Sequence, residues 1–173
     1  SMHGQAFNEG PRQRARRMSG MPEIHFEITT TDEAARAFFL QGVGQLHGFW
    51  YLEAERSFRE SAFHDTNCAM AYWGMAMANI NNPKRAGEFI READLRKTNV
   101  THREKLWIGA LGEFYKDPKR DEKERRRDYT RALENIIFEF PEDVEAKAFL
   151  AFHLWDSHYK GWPIGSAQAV ESL

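Results

Sequence analysis

The chain has 173 residues, of which 42% are apolar and 29% charged, with a net charge of −2. That length suits one well-buried domain, and the apolar share excludes a disordered chain. The near-neutral balance gives no global field for nucleic acid or acidic lipid. No apolar run reaches the roughly 18 residues a membrane span needs, and the single Cys68 excludes an intrachain disulfide or a Cys-based zinc site.

Residues 3–28 read as an irregular leader. They hold Gly4, Gly10, Pro11, Gly20 and Pro22, and a basic run from Arg12 to Arg17. Ser1-Met2 reads as a remnant of an expression tag, so the lack of a signal peptide carries no information. Within the leader, Glu23-Ile-His-Phe-Glu-Ile28 alternates polar and apolar residues, as an extended segment does. The leader is expected to lie along the first helices.

From Thr30 onward the pattern is helical. Thr30-Thr-Asp-Glu33 has capping-box spacing and predicts a first helix over about 31–46. Gly48 breaks it. A second helix runs to about His64, with Trp50, Ala54, Phe58 and Ala62 on one face. Asp65-Thr-Asn67 is a turn. Residues 68–80 are apolar all round and predict a helix buried on most sides. Pro83 suits the first turn of the next helix, which places Ala86, Phe89, Ile90 and Ala93 inward. Thr101-His-Arg-Glu104 is a second capping box, and it opens a helix with Leu106, Trp107, Ala110, Leu111 and Phe114 on one face. A charge-rich helix follows over about 120–139. Pro141-Glu-Asp143 opens another that reaches about His158. Ser166 has the place of a cap for a last helix running to Leu173.

Four small residues recur in this series. Gly42, Ala76, Gly112 and Ala151 each lie in the first helix of a pair, with steps of 34, 36 and 39 residues. Helix pairs repeating at about 34 residues are the signature of an α-solenoid. The second helices repeat Ala54, Phe58, Ser61; then Ala86, Ile90, Ala93; then Tyr129, Leu133, Ile136. This series resembles the tetratricopeptide repeat, with Gly42, Ala76, Gly112 and Ala151 at one small-residue position and Ala54 and Ala86 at the other. The pattern departs from that family at Gln41 and Lys147, where large apolar residues are usual. The resemblance covers about 31–173. It implies an all-α fold, a right-handed solenoid of antiparallel helix pairs with about three and a half repeats, continuing beyond the present chain. The stretches His3–Arg12, Gly42–Trp50 and Cys68–Gly74 also resemble a group of longer bacterial repeat proteins with no assigned reaction. Members of that group are often predicted to be exported, and the resemblance tilts the expected location toward the periplasm.

Motifs for chemistry are lacking. His153 and His158 are five apart, which puts them about 140° apart on a helix, away from a shared metal. No His-x-x-x-His, phosphate-binding loop or nucleophile elbow occurs. The expectation is therefore a non-enzyme without metal or cofactor. The Arg12–Arg17 run has no interleaved aromatic residue and reads as a solvated tail, or as a source of salt bridges to acidic helices, rather than a nucleic-acid contact.

The functional expectation is a scaffold that binds a protein or peptide on the concave face. Gln45, Tyr72, Asn79 and Asn82 are the groove candidates, and the leader is a segment able to fill that groove in the same chain. Gly42, Ala54, Ala76, Ala86, Gly112 and Ala151 are expected to pack the repeats. Two alternatives stay open. One is self-association through an apolar C-terminal end; the other is a small-molecule or metal-binding regulatory module.

Overall fold

The computed structural model of the protein describes residues 8–11 and 13–162. Among these residues it is all-helical, with no strand. The helices are α1 (Glu33–His47), α2 (Tyr51–His64), α3 (Ala69–Met77), α4 (Pro83–Arg96), α5 (His102–Lys116), α6 (Glu122–Glu139) and α7 (Val144–Tyr159). A short 3-10 turn, Lys97–Asn99, follows α4. The expected last helix, 166–173, lies outside the described residues.

Five of these helices start where a side chain satisfies a first free amide, whereas α2 and α3, preceded by Trp50 and Cys68, have no side-chain cap. The second capping box forms as expected: the Thr101 side chain accepts from the Glu104 amide, and Glu104 reaches back to Thr101. The first does not. Asp32, not Thr30, caps α1 by accepting from the Ala35 amide at 2.8 Å. Thr30 instead donates to Asp65 at 2.7 Å and ties the chain entry to the end of α2. An aspartate adjacent to the helix competes better for the cap, and it frees the threonine for a tertiary bond. Asn82 caps α4, with Pro83 in its first turn. Asp121 and Asp143 cap α6 and α7.

Helix α1 packs on α2, α3 on α4 and α5 on α6, and each second helix packs on the first helix of the next pair. The first helices also meet directly, α1 with α3 and α3 with α5. Helix α7 reaches back to the end of α1. The His47 Nε2 lies 2.6 Å from a Glu145 carboxylate oxygen, and the rings of His47 and Phe149 are 5.1 Å apart. The space bounded by α1, α3, α5 and α7 is filled by an aromatic cluster. Trp73 and Trp107 meet edge to face at 5.3 Å, and Phe149 stands 5.7 Å from each. Phe26 of the leader completes it, at 5.3 Å from Phe39, 5.6 Å from Trp73 and 5.3 Å from Trp107. The expected alternation of Glu23–Ile28 is present: Phe26 and Ile28 are buried, while Glu23, His25 and Glu27 are exposed. Residues 24–28 thus belong to the same core as the helices.

The small residues divide into two groups. A Cβ on Gly42 would come within 2.6 Å of the Phe58 ring, and one on Gly74 would press on the same ring from α3. Phe58 of α2 is fully buried between the two glycines. Ala54, Ala76 and Ala86 are fully buried. Gly112 is a correction: a Cβ there meets nothing within 4 Å, so no neighbouring helix demands a small residue at that point. In the second pair the tight contact falls on Gly74, two residues before Ala76. Ala151 is half-buried. Trp50, expected on the buried face of α2, lies outside the helix and is exposed.

This division predicts opposite signs for one kind of change. Gly112→Ala removes a flexible residue from a helix with room for the methyl group and stabilises the fold by about 1 kcal/mol. Gly42→Ala forces the Phe58 ring to move and costs about 1–3 kcal/mol. Paired urea titrations measure both.

Candidate functional site

The most specific chemistry in the molecule lies where the leader meets the helices. A main chain without secondary structure must find partners for its polar groups elsewhere. Here helix side chains supply them. On α1, the Gln41 side-chain amide donates to the carbonyl of Arg16 at 3.0 Å, and its oxygen accepts from the Met18 amide at 2.9 Å. One glutamine therefore reads the backbone on both sides of Arg17. The same Gln41 nitrogen lies 3.0 Å from the Ser57 hydroxyl, which donates to Gln45 at 2.7 Å. The Gln45 amide in turn points at the Met18 sulfur, 3.2 Å away. Gln41, Gln45 and Ser57 are all buried.

Glu60 of α2 continues this polar row. The Arg14 guanidinium grips its carboxylate, with Nε 3.0 and 3.1 Å from the two oxygens. The same guanidinium lies over the Phe63 ring, 3.9 Å from its centroid. The Arg14 hydrogen bond, chiefly, holds the Glu60 carboxyl below its ordinary range, opposed by burial and helped by the nearby His64 and the Ala15 amide. Further up α2, buried Glu55 pairs with Arg59 at 2.7 Å and with Arg85 at 2.6 Å. Gly10 of the leader rests on the tips of these three side chains, which a Cβ there would displace.

The other end of the leader is held by α5. Glu104, only 1% exposed, accepts from the Thr29 amide at 2.7 Å and from the Thr29 hydroxyl at 2.5 Å. It also accepts from the amide and hydroxyl of Thr101, at 2.9 and 2.8 Å. One carboxylate therefore closes the cap of α5 and anchors the leader. Arg103 lies 4.3 Å from the centroid of the Phe26 ring, pairs with Asp143 at 2.8 Å and donates to the carbonyl of Glu27. Arg36 donates to the carbonyls of Ile28 and Thr30. Open grooves flank residues 24–28. One, of about 520 Å³, is bounded by Arg17, Met21, Leu40 and Gln41; the other, of about 660 Å³, by Leu40, Arg103, Phe140 and Asp143.

The four groove residues expected from sequence fall in different places. Gln45 is in the polar row just described. Tyr72 is fully buried, with its hydroxyl 3.4 Å from the Thr66 carbonyl and the Arg96 guanidinium 4.0 Å from its ring centroid. Asn79 is buried and donates to Glu55 at 3.0 Å and to the Met75 carbonyl, while accepting from Arg85. Asn82 is exposed and serves as the cap of α4. Of the four, Gln45 meets the leader, at Met18. The residues that hold it most firmly are Gln41, Glu60, Phe63 and Glu104. Gln41 carried a signal, as the polar residue where the repeat pattern wants an apolar one.

A second polar group sits between α6 and α7. Arg126 pairs with Asp156 at 3.0 Å, and the His153 Nε2 lies 3.0 Å from the Arg126 carbonyl. Burial lowers the His153 pKa to about 4, opposed by that carbonyl. Unfolding exposes the ring and returns it to about 6.5. Between these values the unfolded chain holds a proton that the folded chain lacks. Stability therefore falls as pH drops from about 6.5 to about 4, by roughly 3 kcal/mol in all from this group. His153→Gln should flatten that slope in thermal melts collected across the range. Burial likewise raises the Cys68 thiol to about 11, which leaves it unreactive at neutral pH.

Among the described residues no cluster of three or more histidine, cysteine or carboxylate side chains is arranged to hold a metal. No described helix is long and apolar enough to cross a membrane. The fold and the leader contacts together define an all-α protein that carries an extended segment of its own chain across its helices. Compared with family models, with curated proteins and with solved structures, the chain matches none.

Proposed function

We propose that this protein is a helical-repeat scaffold of the tetratricopeptide kind that binds an extended segment of another protein and catalyses nothing. One observation carries the reading: Gln41 of α1 and Glu104 of α5, on different helices, both bind main-chain groups of the leader, at Arg16 and Met18 and at Thr29. Main-chain hydrogen bonds give affinity without regard to sequence, and pockets for alternate side chains give specificity. Residues 24–28 show both features, with Phe26 and Ile28 inserted and His25 and Glu27 exposed. The repeat pattern and the succession of helix pairs support the solenoid class.

The test is rescue from solution. Phe26→Ala weakens the resident segment and lowers the melting temperature. A peptide of residues 23–30, added in excess, should raise it by several degrees, because a ligand of the native state stabilises in proportion to RT ln(1 + [L]/Kd). A folded Phe26→Ala protein whose melting temperature does not respond to the peptide would count against the reading.

A second reading, self-association through the C-terminal end, is favoured by a separate observation. Phe49, Phe152, Trp155 and Tyr159 form a continuous aromatic surface, with ring separations of 5.8 Å for Phe49–Phe152, 6.0 Å for Phe152–Trp155 and 5.7 Å for Trp155–Tyr159. Phe49, Trp155 and Tyr159 are all more than half exposed. Phe49 also has φ = 58°, a left-handed conformation that costs a bulky residue about 1 kcal/mol more than glycine. Strain at an exposed aromatic residue points to a use for that residue. On this reading, sedimentation velocity at high concentration shows a dimer that Trp155→Glu dissociates. A strict monomer rejects it.

A further inference from the structure

The leader has two parts held in different ways. Residues 24–29 are built into the core through Phe26 and Ile28. Residues 13, 14 and 16–20 are exposed, yet the side chains beneath them are not: Gln41 is 5% exposed, Ser57 0% and Glu60 5%. These polar groups are shielded by a short, solvent-facing stretch of chain. Burying a glutamine, a serine and a carboxylate in a seam between two helices is unfavourable unless each is bonded. Gln41 and Glu60 find their bonds in the leader, through the Arg16 carbonyl, the Met18 amide and the Arg14 side chain, while Ser57 links Gln41 to Gln45 beneath it. The repeat pattern would fill position 41 with an apolar residue, which would pack the seam at lower cost.

We propose that this seam is a recognition site for an extended, arginine-bearing segment of a second protein chain, and that residues 14–18 are its resident intramolecular occupant. The proposal rests on the peptide-binding reading above and names the ligand class for a part of the surface separate from Phe26. Arginine is selected by chemistry. Glu60 accepts two bonds from a planar guanidinium while Phe63 offers its ring face 3.9 Å from the guanidinium carbon. Lysine has neither the fork nor the flat surface for that pair. Two residues beyond the arginine, Gln41 takes a carbonyl; four beyond, it takes an amide. The ligand is thus an arginine followed by extended chain, with any side chain that fits at the next position. Gly20, at φ = 75°, and Pro22 stand between this stretch and the buried part of the leader, so residues 14–18 can leave without disturbing Phe26.

The probe is a fluorescein-labelled peptide of residues 8–22, read by fluorescence anisotropy against the full chain. In the wild-type chain the resident segment competes. The double variant Arg14→Glu/Met18→Pro reverses the charge facing Glu60 and removes the amide that Gln41 accepts from, without touching any helix. It should bind the peptide at least about tenfold more tightly than wild type, because the competing state is removed. Adding Glu60→Gln to that variant, or replacing Arg14 by lysine in the peptide, should cost about tenfold or more. Equal binding of arginine and lysine peptides would overturn the arginine site and leave peptide binding standing. No binding to an opened chain that still melts cooperatively would overturn this site as a docking surface, while the Phe26 rescue tests the broader reading separately. Arg14-dependent dimerisation of the wild-type chain without uptake of free peptide would overturn it in favour of leader exchange between copies.

Discussion

Phe58→Ala is expected to destabilise the protein by about 4 kcal/mol, within the usual cost of emptying a buried aromatic site. Phe58 is fully buried, stands 5.5 Å from Phe39 and is enclosed by the bare backbones at Gly42 of α1 and Gly74 of α3. Three helices meet on one ring, and the loss leaves a cavity that none of them can close without a backbone shift. The sign of a second substitution depends on this ring. In wild type, Gly74→Ala pushes a methyl group into the ring and destabilises by about 1–3 kcal/mol. In the Phe58→Ala background the same methyl group enters the cavity, and the change becomes neutral or stabilising. A double-mutant cycle in urea measures the reversal. Additive effects would show that the glycine and the ring are not coupled.

Glu104→Ala is expected to cost about 3 kcal/mol. Its carboxylate accepts from both the amide and the hydroxyl of Thr29 and of Thr101, and alanine leaves all four donors without that partner. Part of the loss is the cap of α5, about 1 kcal/mol. The remainder is the tie to the leader. Glu104→Gln keeps one accepting oxygen and turns an amide donor toward the other donors, so it should fall between wild type and alanine. Thermal melts give the totals. Amide exchange at Thr29 separates the two contributions, because cap loss alone leaves that amide protected.

The helices were legible because their signals are local. The cap at Thr101, Pro83 in a first turn, and the periodic faces of α2, α4 and α5 each lie within a few residues in sequence. The alternating stretch 23–28 was legible for the same reason. The cap of α1 was misplaced because Thr30 and Asp32 both suit the position, and the choice turns on Asp65, far away in sequence. Gly112 misled because a glycine in a helix looks alike whether a neighbour presses on it or leaves it open. The recognition row of Gln41, Ser57 and Glu60 escaped because the leader groups that Gln41 and Glu60 bind lie between 23 and 46 residues away. Only the departure at Gln41 from the repeat pattern marked it, and a single polar substitution does not say which backbone it serves. Tyr72 and Asn79 were placed at a groove because they lie on or after first helices. In the folded chain α4 brings Arg96 and Arg85 onto them.

The central claim is that helix side chains hold the leader as an extended segment. Amide hydrogen exchange at Met18 tests it most directly, because this amide donates to Gln41 and to no helix backbone. Met18 is expected to exchange at least about tenfold more slowly than an unstructured amide, and Gln41→Ala to remove this protection while α3 stays protected. Exchange of Met18 at the unstructured rate in the wild-type chain would contradict it.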